Sequence, residues 1–166
     1  MVNEPYAAVV NTTGEIEPAE LFHDLFTQVL QRIERENGDS EKCNPSGDDM
    51  ISLLELESNY EKLTEEQQQD MMVFLSRFEQ TKRMRWPRCV KSPDKLLNLV
   101  ARMKNNQFAI TDDSLNADIG CGVYINASLL NHSCRPNAFP IFLGTKLFIK
   151  ALRNIKKDEG ELSKIF

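Results

Sequence analysis

NHSCRPN, residues 131–137, carries more chemistry than any other stretch of this 166-residue chain. It brings two amides, an imidazole, a hydroxyl and a thiol together within seven residues. Pro136 fixes its own φ and disfavours the helical region for Arg135, which is thereby pushed toward an extended conformation. These residues therefore predict a loop with a defined shape.

The sequence on both sides of this loop has the pattern of strands. Residues 122–125 form an apolar, strand-like run, and residues 127–130 leave room for one short helical turn at most. Residues 139–143 and 146–152 read as two further strands, and Gly144-Thr145 between them is typical of a hairpin. We therefore expect the polar loop to lie between sheet elements.

Two other interpretations of the loop rest on short patterns. Asn131-His132-Ser133 matches an N-glycosylation acceptor, but that modification needs a secreted chain, and the N-terminus carries no apolar signal segment. His132 and Cys134 have the side chains of a nucleophilic pair, yet they stand two residues apart, whereas such pairs usually come from distant segments with a third orienting group. Neither pattern is sufficient by itself.

A zinc site that uses Cys134 is a third interpretation. A closed tetrahedral site needs about four ligands, and the remaining cysteines, Cys43, Cys89 and Cys121, form no C-x-x-C pair. Cys134 therefore fits as one ligand of a site whose other ligands are not in this chain.

Charge and cysteine usage limit the class of protein. The net charge is −5, which argues against direct nucleic-acid binding because that function needs basic surfaces. The cysteines show no disulfide framework and no signal peptide is present, so we expect a reducing compartment, cytoplasmic or nuclear. No apolar run reaches the length of a membrane helix, which is about 18 residues or more.

Helical patterns dominate the first hundred residues. A helix is expected from Pro18, with Asn37-Gly38 at its end, because apolar residues recur every three or four positions. We expect this stripe to be either core or a surface for a partner helix. Its members are Leu21, Phe22, Leu25, Phe26, Val29, Leu30 and Ile33.

Three more helices are expected before the strands. One begins at Asp48 and runs through Leu56, and a capping box at residues 64–67 opens the next. Ser92-Pro93 starts the last one. The residues expected on the buried sides of the last two helices are Met71, Met72, Leu75, Phe78, Leu96, Leu97, Val100 and Met103. Helices followed by short strands predict an α+β fold.

Residues 120–137 resemble the core motif of SET-domain lysine methyltransferases, specifically the branch that combines SET and MYND domains. Residues 54–63 are similar to the helical insert of that branch, and residues 105–110 to the strand that returns to the SET core. The resemblance implies three regions: residues 1–47 as an N-terminal helix and loop of uncertain role, 48–104 as the helical SET insert, and 105–166 as the C-terminal part of the SET core.

The same resemblance implies roles for individual residues. S-adenosylmethionine would be the cofactor, a protein lysine, histone or non-histone, the substrate, and Phe108 a wall of the lysine channel. Cys134 would be one thiolate of a zinc site that three later cysteines complete in the family. The positions that match cofactor contacts are Ser128, Leu129, Leu130, Asn131, His132, Asn106, Glu57 and Asn59.

Departures from the family pattern predict an incomplete SET fold. The glycine-rich first strands and the cysteines after the SET core are not found in this sequence, and Phe166 stands where the family has its catalytic tyrosine. No catalytic residue is therefore assigned, and we expect weak cofactor binding and poor zinc binding. Two hypotheses remain: a partial or inactive member of the lysine methyltransferases, and a non-catalytic interaction module that binds a partner helix.

Overall fold

The structure is a computed structural model that describes residues 2–11, 17–38, 52–81, 86–112, 117–157 and 162–163, with His132, Leu162 and Ser163 described by their backbone alone. The chain divides into two compact units. We call Met1–Leu25 with Gln107–Phe166 the sheet unit, and Phe26–Asn106 the helical unit.

Helices and strands both occur, as expected for an α+β protein. The helices are α1 (Pro18–Asn37), α2 (Glu65–Thr81) and α3 (Pro93–Asn106), and single 3₁₀ turns span Leu53–Glu55, Tyr60–Lys62, Arg88–Val90 and Ala127–Leu129. The strands are β1 (Val2–Asn3), β2 (Ala7–Val10), β3 (Gln107–Thr111), β4 (Asp118–Val123), β5 (Asn131–His132), β6 (Ala138–Leu143), β7 (Lys146–Ala151) and β8 (Leu162–Ser163). Within these described ranges, no helix combines the length and the apolar character that crossing a bilayer demands.

The sheet unit contains two small sheets. Its strand orders are β1-β7-β6-β8-β5 and β2-β4-β3. The hairpin of β6 and β7 is confirmed, with Leu143 opposite Lys146. Gly144 in the turn has φ +57°, and a two-residue hairpin loop whose first residue has positive φ suits the right-handed twist of the strands.

Residues 2–10 differ from the expectation that helices come first. Val2 pairs with Phe148 of β7, and β2 pairs antiparallel with β4 from Ala7↔Val123 to Val10↔Gly120. Strands this short contain too few residues for a period of two to be visible in sequence. Their pairing partners lie more than a hundred residues away, so only the folded chain reveals them.

Two glycines let the strands around β4 approach closely. A Cβ added to Gly120 would lie 2.2 Å from the carbonyl oxygen of Val9 in β2. A Cβ on Gly122 would lie 2.8 Å from Cε2 of Tyr124. The glycines of residues 120–122 therefore have a packing role in the sheet.

An apolar cluster lies in the core of the sheet unit. It includes Phe108, Ile110, Tyr124, Ala127, Ala138, Phe142, Leu147 and Ile149. The rings of Phe108 and Tyr124 meet edge to face with centroids 5.7 Å apart, an arrangement that aromatic pairs prefer. Phe108 is thus a core residue, and its role as a channel wall stays a prediction.

The apolar stripe of α1 is core. Phe26, Val29, Leu30 and Ile33 are at most 2% exposed, and Phe26 meets the rings of Phe74, Phe78 and Trp86 at centroid distances of 5.4, 4.8 and 6.4 Å. Burial removes the surface that binding a partner helix would use. Of the two alternatives expected for this stripe, the structure therefore supports core for residues 25–33, while Leu21 and Phe22 are half-buried.

The other helix predictions met different outcomes. The starts of α2 and α3 are confirmed: Thr64 Oγ1 accepts from the Gln67 amide at 3.3 Å, and the Gln67 side chain accepts from the Thr64 amide at 3.0 Å. The helix expected from Asp48 is wrong in its described part, where a 3₁₀ turn of Leu53–Glu55 follows a Ser52 cap and Leu56 is extended. Asp48 itself lies outside the described residues. Met72 is 42% exposed, so the buried side of α2 is narrower than expected.

Candidate cofactor-binding segments

A short turn follows β4 in the sheet unit and leads into the NHSCRPN loop. The amide and the hydroxyl of Ser128 both donate to the carbonyl oxygen of Tyr124, each at 2.9 Å. The Leu130 amide donates to Ala127 at 3.1 Å and closes the 3₁₀ turn. Leu129 is 50% exposed and Asn131 is exposed, so a fixed backbone presents these residues outward.

Tyr124 anchors this turn. Its side chain is fully buried, and its hydroxyl donates to the carbonyl oxygen of Thr145 in the β6–β7 turn at 2.6 Å. Burial raises the pKa of the phenol well above its ordinary value, and the nearby Cys121 and Glu4 act in the same direction. The phenol therefore stays protonated, and its hydroxyl links the start of the turn to the hairpin of β6 and β7.

The NHSCRPN loop has a defined shape between strands, as expected. Asn131 and His132 form β5, which pairs in parallel with β8. The Arg135 amide donates to the hydroxyl of Ser133 at 3.1 Å, a local turn that Ser commonly makes. Asn137 is fully buried, and its carbonyl oxygen accepts from the Leu152 amide at 2.8 Å.

The described residues do not fit a closed zinc site. Cys134 is exposed and is not part of a disulfide. Across the described ranges, no three His, Cys, Asp or Glu side chains converge as metal ligands. One thiolate cannot complete a tetrahedral site. Weak zinc binding stays a prediction, and Phe166, at the position of the family tyrosine, lies outside the described residues.

The second candidate segment lies in the helical unit and contains Glu57 and Asn59. Three consecutive carbonyl oxygens of this segment accept hydrogen bonds from α3. Arg102 Nε donates to Leu56 at 2.5 Å, Asn106 Nδ2 to Glu57 at 3.0 Å, and Asn105 Nδ2 to Ser58. The Ser58 hydroxyl donates to Oδ1 of Asn98 at 2.8 Å. The backbone is fixed on both sides of Glu57, whose side chain is exposed.

Asn59 has a left-handed backbone, with φ 51° and ψ 21°. Asn adopts this region more readily than most residues, but still at a cost. Its Oδ1 accepts from Lys62 Nζ at 2.8 Å. From α2, Gln68 Nε2 donates to the carbonyl oxygens of Tyr60 at 3.3 Å and Leu63 at 3.2 Å. Side chains of two helices therefore hold the turn in place.

Arg102 brings a guanidinium to this segment. Burial lowers its pKa from the ordinary value, and the negative charge of Glu57 opposes that effect. An arginine stays protonated under such a shift because its ordinary pKa is far above neutrality. Arg102 thus supplies a fixed positive charge near Glu57.

A surface cleft of about 170 Å³ lies beside this segment and is lined by Leu63, Gln67, Asp70, Met71, Lys104 and Asn105. Small-molecule sites usually occupy about 300–1,000 Å³. None of the matched cofactor positions lines the cleft. We therefore do not assign the cofactor to it.

The structure brings the matched positions together within each unit. Ser128, Leu129, Leu130 and Asn131 share one fixed turn, with the His132 backbone following in β5. In the helical unit, Asn106 is hydrogen-bonded to Glu57, two residues before Asn59. Sequence reasoning missed the residues that hold these segments: Tyr124, Asn98, Arg102 and Asn105. Polar residues on a helix indicate a solvated face, so the sequence of α3 gave no signal of this role.

The chemistry of the polar groups at the matched positions fits S-adenosylmethionine. This cofactor carries an ammonium group, a carboxylate, ribose hydroxyls and an adenine amine. An exposed carboxylate on Glu57 can accept from hydroxyls or an ammonium group, and the amides of Asn59 and Asn131 can both donate and accept. These side chains project from backbones that the contacts above hold in place.

Comparison with known proteins identifies the family. The SET domain profile matches residues 9–162. Histone-lysine N-methyltransferase SMYD3 of Mus musculus is 29% identical over 133 residues, which are 79% of this chain and 29% of the relative. N-lysine methyltransferase SMYD2 of Homo sapiens is 30% identical over 132 residues, 78% of this chain and 28% of the relative.

Histone-lysine N-methyltransferase SMYD1 of Homo sapiens is 31% identical over 121 residues, 71% of this chain and 23% of the relative. The chain thus spans less than a third of the length of each of these relatives. The match covers both the NHSCRPN loop and the helical unit, and the chain belongs to the SET-domain family, with SMYD lysine methyltransferases among its relatives.

Proposed function

We propose that this chain is the cofactor-binding part of an S-adenosylmethionine-dependent protein-lysine N-methyltransferase. The observation that carries the proposal is the turn at residues 127–131. Its backbone is fixed by two hydrogen bonds from Ser128 to Tyr124, while Leu129 and Asn131 stay exposed, in a chain of the SET-domain family. The relatives are named as lysine methyltransferases, and the substrate proposed here is likewise a protein lysine, histone or non-histone.

The proposed contacts follow from the two segments. Ser128, Leu129, Leu130, Asn131 and His132 of the sheet unit would bind through backbone and amide groups, and Glu57, Asn59 and Asn106 of the helical unit through polar side chains. When bound, S-adenosylmethionine supplies an electrophilic methyl group. A lysine amine accepts a methyl group only when unprotonated, so the protein must orient and desolvate that amine. We propose that Phe108 forms an apolar wall of the channel that the substrate lysine would enter.

We assign a cytoplasmic or nuclear location on the class of the relatives. Zinc is not assigned, because the described residues supply a single exposed thiol. The interaction-module hypothesis is not carried forward, since most of the stripe it relied on is buried.

Cofactor binding is the direct test of the proposal. Calorimetric titration of the chain with S-adenosylhomocysteine, the stable product, should give saturable binding. Asn131→Ala should weaken it roughly tenfold or more, as expected when a polar contact is lost. Asn126→Ala is the matched control, because Asn126 is an exposed amide at the same turn and makes no side-chain cap bond. Absence of saturable binding, or equal weakening by both variants, would overturn the proposal.

Methyl transfer is the second readout. The same wild-type and variant proteins are incubated with labelled S-adenosylmethionine and with histone and non-histone lysine substrates. Label on lysine that Asn131→Ala abolishes and Asn126→Ala preserves would establish the activity in this chain. Binding without label would restrict the chain to the cofactor-binding role.

A further inference from the structure

The backbone of residues 56–58, which include Glu57, is bonded by side chains on one face of α3. The four α3 residues that contact it, Asn98, Arg102, Asn105 and Asn106, follow a spacing of three and four residues with one adjacent pair. Such spacing places side chains on the same side of a helix. The set spans three successive carbonyl oxygens and one hydroxyl of the segment.

We propose that Arg102 is a positioning residue for cofactor binding, which it supports by holding Leu56 and, through it, the exposed side chain of Glu57 and the half-buried side chain of Asn59. This inference rests on the proposed function and adds a residue to it. Arg102 itself touches neither Glu57's carboxylate nor any cofactor in the contacts described above. It acts through the backbone and through its charge.

Arg102 differs from the amides around it in chemistry. A guanidinium donates a charge-assisted hydrogen bond, which is stronger than one between neutral groups. The bond to Leu56 spans 2.5 Å between Nε and the carbonyl oxygen and is half-buried. Loss of this donor leaves the Leu56 carbonyl, part of a 4% exposed residue, without its α3 partner. The amides add bonds to the next two carbonyls but bring no charge to Glu57.

The left-handed backbone of Asn59 adds to the need for this support. Asparagine adopts that region at some cost, which the neighbouring contacts offset. On its C-terminal side these are the bonds from Lys62 and Gln68. On its N-terminal side they are the bonds of Arg102, Asn105 and Asn106. Removal of the Arg102 bond, the strongest of these, lets the segment populate other conformations. A ligand then binds only the fraction of molecules in which the segment keeps its binding conformation.

The test uses Arg102→Met, which keeps a long side chain without a donor or charge, and Arg102→Lys, which restores the charge. Arg77→Met is the matched control, because Arg77 is an exposed arginine on α2 of the same unit. Amide hydrogen exchange at Leu56 and Tyr60, without cofactor, reports the order of the segment. Calorimetry with S-adenosylhomocysteine reports affinity.

We expect Arg102→Met to raise exchange at Leu56 and Tyr60 and to weaken S-adenosylhomocysteine binding about tenfold, the loss typical of a charge-assisted hydrogen bond. Arg102→Lys should restore part of both effects, and Arg77→Met should change neither. If Arg102→Met fails to fold, Asn105→Ala removes the bond to Ser58 from an exposed residue and serves as the milder variant.

The outcomes separate the two proposals. A wild-type chain that does not bind S-adenosylhomocysteine refutes the proposed function. A wild-type chain that binds, together with an Arg102→Met variant of unchanged affinity, overturns the positioning role alone. Weakened affinity without faster exchange at Leu56 and Tyr60 also overturns it, because the effect would not pass through the segment. Faster exchange and weaker binding in Arg102→Met, both partly reversed in Arg102→Lys, support the positioning role.

Discussion

The two candidate segments are built by different means. In the sheet unit, the turn at residues 127–131 is fixed by its own backbone and by Tyr124, a buried ring that reaches the next hairpin through one hydrogen bond. In the helical unit, the segment at residues 56–63 has little regular structure and is held by polar side chains of α2 and α3. The first depends on apolar packing and strand pairing, and the second on a set of separate hydrogen bonds.

This difference predicts different responses to substitution. A buried ring or a glycine in a central strand contacts many atoms, so a change there disturbs the whole unit. Single hydrogen bonds contribute only about 0.5–1.5 kcal/mol each. We therefore expect large effects from the sheet unit's packing and smaller effects from the helical unit's polar contacts.

The largest effect is expected at Gly120. Gly120→Val places a Cβ 2.2 Å from the Val9 carbonyl oxygen, so β2 and β4 must separate. The free energy of unfolding should fall by about 3 kcal/mol or more, measured by denaturant unfolding with circular dichroism. Gly38→Asn is the control, because no atom lies within 4 Å of its added Cβ and Asn tolerates its φ of +53°. Equal losses at both positions would contradict the role of close approach.

Gln68 tests the polar contacts of the helical unit. Gln68→Ala removes the bonds to Tyr60 and Leu63 and should lower the free energy of unfolding by about 1–2 kcal/mol. Trp86, the single tryptophan, packs against Phe78 of the same unit and reports unfolding by fluorescence. Gln69→Ala, an exposed neighbour, should change stability by less than about 0.5 kcal/mol. A smaller loss of stability in Gln68→Ala than in Gln69→Ala would contradict the contribution of these hydrogen bonds.

Substitution at Tyr124 separates the contribution of its ring to stability from that of its hydroxyl. Tyr124→Phe keeps the buried ring and removes the bond to Thr145, and its cost should be about 1 kcal/mol because the exposed turn lets the carbonyl bind water. Thr145→Ala leaves the accepting carbonyl in place and should have almost no effect. Thermal unfolding followed by circular dichroism checks both. A cost at Tyr124→Phe far above that of one hydrogen bond would show that the sheet unit also depends on polar contacts.

The smallest effect is expected at alkaline pH. Burial raises the pKa of Cys121 from 9.0 to about 11. The folded chain therefore holds this proton more tightly than the unfolded chain, so the stabilising contribution is complete below pH 9.0 and is lost as the pH rises toward 11. Partial exposure of the thiol makes the loss modest. Cys121→Ala should reduce the fall in unfolding midpoint over this range, and an unchanged slope would contradict it.

The sequence determined the parts of this protein that depend on neighbours along the chain. Caps and three- or four-residue spacing predicted the helices that begin at Pro18, after Thr64 and at Pro93, and Gly144-Thr145 predicted the hairpin. The NHSCRPN motif indicated a shaped loop and the SET-domain family. These signals survive in sequence because a helix turn, a cap or a two-residue loop is made by residues that are adjacent in the chain.

The tertiary structure alone decided the rest. The strands at residues 2–10 pair with partners more than a hundred residues away. The sequence left the α1 stripe as either core or partner surface. The structure shows Phe26 packed against Phe74, Phe78 and Trp86. Asn98 and Asn106 bond residues 40 and 49 positions earlier, although both look like a solvated helix face. Side-chain contacts over such separations depend on where the folded backbone brings the partners, and no local pattern encodes that distance.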